Sequence, residues 1–131
     1  MSVTPPTPRA SQPLLWAGRI VSALPVLALA MSAIMKFALP KEAVDGFTKL
    51  GWSPSLAFGL GILEIVCTVL YVIPQTSVLG AVLLTGYLGG AIATHVRIGD
   101  NYVAPIVLGV LVWLGLYLRD PRLRALLPLR S

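Results

Sequence analysis

A glutamate, Glu64, stands inside the apolar run Gly61-Ile62-Leu63-Glu64-Ile65-Val66-Cys67, and a tyrosine, Tyr87, inside Leu84-Thr85-Gly86-Tyr87-Leu88-Gly89-Gly90. A carboxyl group in such a setting offers an anchor for a ligand's hydroxyl or carbonyl, or an acceptor for a proton. Read without a ligand, it is a buried hydrogen bond that fixes helix packing. A second group is basic: Lys36 closes the first long apolar stretch, and His95 and Arg97 close the third. Together with the helix N-terminus opened by Ser53-Pro54, these three would suit a carboxylate, a phosphate or a reduced quinone oxygen. Lys36 and Arg97 read equally as helix-end anchors whose charges snorkel to water.

Other chemistries lack their residues. The chain has one histidine and one cysteine, Cys67, with no HxxxH or ExxH spacing, so no metal site is expected. There is no CxxC pair for thiol–disulfide exchange, and no Ser/His/acid set that the order of the helices would assemble. The net charge of +5 does not point to nucleic acid, because the basic residues gather at the two ends instead of interleaving with aromatics along one face.

The elements that must hold these groups follow from composition. With 131 residues, 56% of them hydrophobic and 11% charged, and a mean hydropathy of +0.85, the chain is built for lipid. A span needs about 20 mostly apolar residues. The expectation is therefore an all-α fold: a four-helix transmembrane bundle with short loops and an amphipathic basic C-terminal tail. The spans fall at about 14–36, 54–73, 78–96 and 103–118, within one membrane domain over 14–118. Residues 1–13, with four prolines, read as a disordered tail, and 119–131 as a basic tail on the membrane surface. Between the first two spans, Lys36 to Trp52 is long enough for an amphipathic helical turn with Phe47, Leu50 and Trp52 towards the lipid interface. Arg9 and Arg19 ahead of Ala28-Leu29-Ala30 also resemble a cleavable signal, but that apolar stretch is longer than a usual signal core.

Depth then decides which polar groups meet. Glu64 lies ten residues past Pro54, about 15 Å along a helix and so mid-bilayer. An acid there costs ~2.5–3.5 kcal/mol, so Glu64 should face inward and be protonated or paired. Antiparallel register through the turns at Gln75-Thr76 and Gly99 brings Tyr87 and Trp113 to its level, with Trp113 placed to stack on a ring. Matching Lys36 with Ser53 brings Pro25 there too. Its candidate partners are the Tyr87 hydroxyl, Thr68 and the Val21 carbonyl that Pro25 frees. Gly86, Gly90 and Thr94 form one ridge of small residues and Gly89 and Ala93 another, marking where this helix presses on its neighbours or on a second copy. Arginines at both chain ends outnumber the basic residues of the opposite loops, which puts both termini in the cytoplasm.

The stretch from Leu84 to Asp100, reading TGYLGGAIATHVRIGD from Thr85, resembles the third transmembrane segment of the DoxX-like family. Lys36-Phe37, the Gly61-to-Glu64 run and the closing Leu116-Tyr117-Leu118-Arg119-Asp120 with Arg122 to Pro128 resemble family positions as well, so the likeness covers about residues 15–128. It implies a four-helix bundle of the plasma (inner) membrane. Because the family takes its name from a membrane subunit of a thiosulfate:quinone oxidoreductase, it also implies a quinone as cofactor or ligand and a redox partner protein. The leading expectation is thus a multi-pass membrane protein that binds a quinone-like or lipid-like molecule, or forms the membrane subunit of a redox complex. Glu64, Tyr87, His95, Lys36, Arg97 and Trp113 would be its ligand contacts. The alternatives are an enzyme moving a proton between Glu64 and His95 on a hydrophobic substrate, and a structural or assembly factor without a ligand.

Overall fold

The computed structural model describes residues 12–126. Of the disordered tail expected over residues 1–13, residues 1–11 lie outside the described residues, while Gln12 and Pro13 already belong to the first helix; the last part of the basic tail, 127–131, lies outside them too. Among the described residues every regular element is helical. They are α1 (Gln12–Ala38), α2 (Lys41–Leu50), α3 (Ala57–Val72), α4 (Ser77–Arg97), α5 (Val103–Arg119) and α6 (Pro121–Leu126), with single 3-10 turns at Pro54–Leu56 and Pro74–Thr76. Three stretches, Gln12–Ala38, Pro54–Val72 and Pro74–Arg97, are long and apolar enough to cross a membrane, and the apolar α5 is shorter, with 17 residues.

The helix ends follow local chemistry. Ser53 accepts the backbone N–H of Ser55 (3.3 Å) ahead of Pro54, whose fixed φ and missing donor suit a first helical turn. At the next turn Thr76 donates to the Leu70 carbonyl (2.7 Å) and Ser77 to that of Ile73 (2.8 Å), so the reversal from α3 to α4 satisfies its own orphan acceptors. Gly99 turns the chain at φ 70°, and the Asn101 side chain accepts from Val103 N (2.9 Å) to open α5. In its described part, residues 119–126, the basic tail is docked on the bundle: Asp120 accepts from Arg122 N (2.9 Å), α6 begins, and Leu123 buries in the core while Arg124 donates to the Tyr117 and Leu118 carbonyls.

α1 packs on α3 and α5, and α4 packs on the same two helices. The core runs along their common axis through Leu29, Tyr71, Leu84, Val112 and Leu116. Outward faces stay apolar, as at Ile20, Leu27, Met31, Phe58 and Val110, which suits contact with lipid. Small residues set the close approaches, but not those expected. A methyl group at Gly18 would stand 2.6 Å from Arg119 N, and one at Gly115 would stand 2.9 Å from Ser22 N. Gly80 lies against the Tyr71 backbone. Gly86, Gly89 and Gly90 face no atom that an added Cβ would touch, so among the described residues the glycines of the α4 ridges meet no neighbour.

Candidate functional site

Halfway along α3 the Glu64 carboxylate is almost wholly enclosed, its side chain 2% exposed. It accepts a hydrogen bond from Lys36 Nζ at 3.0 Å, forming a buried ion pair between α3 and α1. Lys36 donates a second bond to Ser32 Oγ, one turn back on its own helix, at 2.7 Å. The Ser32 and Tyr87 hydroxyls also interact with the Glu64 carboxyl, and Lys36 Nζ lies 5.9 Å from the centre of the Tyr87 ring. An ammonium, a carboxylate and two hydroxyls from α1, α3 and α4 thus converge where helices otherwise offer only hydrocarbon.

These groups line a cavity of about 440 Å³. Leu29, Leu60, Leu88 and Leu108 supply its apolar walls, and on the α4 side Gly90, with no side chain, and Ala91, with only a methyl, leave room. His95 sits further towards the end of the bundle on the same wall, its Nδ1 2.6 Å from the Ala91 carbonyl. Phe47 and Leu50 of α2, with Trp52, form the roof.

Of the six sequence candidates, the structure therefore gathers Lys36, Glu64, Tyr87 and His95 around one space. Two stand apart. Arg97 donates to the Leu50 carbonyl and lies 6.0 Å from the centre of the Trp52 ring, so it fastens the roof from outside. Trp113 donates its indole N–H to Thr85 Oγ1 at 2.7 Å, tying α5 to α4 without lining the cavity.

Three expectations need correction. Lys36 belongs to the inner polar group, not to an outer basic cluster, because a helical side chain leans towards the helix N-terminus and hence into the bundle at the C-terminal end of α1. Thr68 is no partner of the carboxyl: its hydroxyl donates to the Glu64 backbone carbonyl at 2.7 Å. Phe47, Leu50 and Trp52 cover the cavity instead of facing only the lipid interface, because α2 turns back across the end of the bundle.

The fold defines the class: a helical membrane protein, apolar outside, that closes an ion pair and a cavity inside. Within that class the chain belongs to the DoxX-like family, whose family model matches residues 20–115. No match was found among the curated proteins or the solved structures. The matched stretch contains all six candidate residues.

Proposed function

We propose that the protein is a four-span inner-membrane bundle whose α2-side cavity takes a quinone-like or lipid-like molecule, alone or as the membrane subunit of a redox complex. The observation that carries this reading is the Lys36–Glu64 pair on the wall of an apolar cavity. Burying two charges costs several kcal/mol per ion before their attraction offsets it, and an apolar pair of similar volume packs at least as well. What the ion pair adds is recognition. It presents a donor and an acceptor side by side, with the Tyr87 hydroxyl next to them and His95 beyond. A carbonyl oxygen would be held by the ammonium, and a hydroxyl by the carboxylate.

The volume supports the same reading, since ligand cavities occupy ~300–1,000 Å³ with apolar walls and a few convergent polar groups. The aliphatic walls suit an isoprenoid or acyl chain, and the polar group suits its ring or head. Both termini lie on the cytoplasmic side in this reading, with α2 on the opposite face, as the arginine-rich ends favour. A catalytic variant, with a substrate bridging Glu64 and His95 for proton transfer, draws support from both groups lining one space.

Native mass spectrometry with lipid extraction, on protein purified in mild detergent, tests the proposal. A small molecule retained by the wild type and lost from Glu64→Gln and His95→Ala is the expected result. Equal folding of all three with nothing retained would favour the assembly-factor reading.

A further inference from the structure

A second cavity, of about 610 Å³, opens at the other end of the bundle, among the first half of α1, the α3–α4 turn, the end of α5 and the start of α6. Its walls include Leu15, Val26, Val72 and Leu116, and three arginines reach it: Arg19, Arg119 and Arg122. All three lie outside residues 20–115, the stretch that the family model matches. We propose that this cavity binds a phosphate-type anion, the chemistry shared by an anionic phospholipid headgroup and a free phosphate ester.

Unbalanced charge is the first argument. The chain has five acidic residues. Glu42 and Asp45 lie on α2, Asp100 in the α4–α5 turn and Glu64 in the other cavity, which leaves Asp120 alone among three guanidinium groups. Asp120 is already engaged, accepting Arg122 N at 2.9 Å and Arg122 Nε at 3.4 Å. The close approach at Gly18 presses α1 against the end of α5 and sets Arg19 and Arg119 on one cavity. Crowding like charges in a half-enclosed space is unfavourable unless an anion joins them.

Spare donors are the second argument. Arg119 is held in place, its Nη2 donating to the Tyr71 carbonyl at 2.7 Å and its guanidinium 4.5 Å from the Tyr71 ring centre. Its Nε is shut off from solvent without a partner, and an unpaired buried donor is costly. No acceptor on the cavity wall bonds it: the Tyr71 hydroxyl lies with the Val112 carbonyl (2.6 Å) and Ser22 (3.1 Å), and Ser77 donates to the Ile73 carbonyl. A planar guanidinium anchored through Nη2 and carrying an unpartnered Nε still has donors to offer paired phosphate oxygens.

Depth is the third. Trp16, 56% exposed and 5.0 Å below the Arg19 guanidinium at its ring centre, marks the membrane–water boundary where tryptophan gathers. The arginines are therefore level with headgroups, and the apolar walls with the start of the acyl chains.

The test uses the full-length chain, stripped of lipid in a non-ionic detergent, with thermal unfolding followed as phosphatidylglycerol, phosphatidylcholine or glycerol phosphate is added. Phosphatidylglycerol should raise the unfolding temperature well beyond phosphatidylcholine. Its half-saturating concentration should rise about tenfold in Arg19→Gln and in Arg122→Gln, the loss of one charge-assisted hydrogen bond. Both side chains lie on the exterior, so these variants keep the fold even if Arg119→Gln does not. An equal shift from glycerol phosphate would identify a soluble ester as the source of the anion. A wild type that responds no better to phosphatidylglycerol and glycerol phosphate than to phosphatidylcholine would overturn the site, as would variants that respond like it.

Discussion

Lys36 and Glu64 depend on each other more than either depends on water. Removing the ammonium alone leaves an enclosed carboxylate, whose isolation costs about 3–5 kcal/mol. Lys36→Met should therefore lower unfolding stability in detergent by that order. Adding Glu64→Met should restore most of it, because two thioether chains fill the same space without charge. A double variant as unstable as the single one would mean that the pair holds the helices together by itself. Glu64 was legible in the sequence through its cost, since an acid ten residues into a span must face inward. Its partner was not, because Lys36 at a helix end looks like an outward anchor until the backward lean of helical side chains is applied to it. Outside the spans, the Asn101 backbone N–H, with Lys49 and His95 adding to it, holds the Asp100 carboxyl below the usual carboxylate range. A depressed folded pKa stabilises above the unfolded value of ~3.9 and loses that effect as pH falls through the folded value. Amide protection factors in the α4–α5 turn, with the intrinsic pH dependence of exchange divided out, should thus stay flat from pH 7 to 5 and fall only below about 4, and Asp100→Asn should abolish that step.

At the scale of elements, register was legible and faces were not. Short turns fix the antiparallel pairs, so Gly80 meets Tyr71 and Thr85 meets Trp113 as turn lengths require. The long connection holding α2 defeats the same reasoning between α1 and α3: Lys36 meets Glu64, and Ser22 meets Tyr71, where matched helix ends would pair others. Small residues were visible as spacings, but spacing does not say which face a helix turns inward. The structure separates them by consequence. Gly18→Ala and Gly115→Ala should each cost about 1–3 kcal/mol by overpacking α1 against α5. Gly86→Ala and Gly89→Ala should gain about 0.5–1 kcal/mol from helix propensity. A loss at Gly86 or Gly89, measured by unfolding in detergent, would instead reveal a second copy against α4.

For the whole molecule, composition made lipid the solvent before any helix was placed, and the apolar exterior agrees with it. The sequence spaces four apolar stretches, yet α5 spans only about 25 Å at 1.5 Å per residue, short of a ~30 Å hydrocarbon core. Fluorescent-protein fusions at each terminus decide its course: both bright means an even number of crossings, and one dark means an odd number. The C-terminal fold-back was hidden in the sequence because a basic stripe with leucines describes a surface helix and a docked one equally well.

The roof that α2 lays over the Lys36–Glu64 cavity bears on how any occupant would arrive. Its outer face carries Lys41, Glu42, Asp45 and Lys49, while Phe47 and Leu50 close the side towards water. With Phe47 and Leu50 covering the aqueous side and Gly90 leaving α4 bare, an occupant of the proposed kind would exchange sideways, in the plane of the bilayer. Occupancy then follows the mole fraction of a compound dissolved in the membrane, not its concentration in the surrounding medium, so diluting the protein with inert lipid should empty the cavity while diluting the buffer should not.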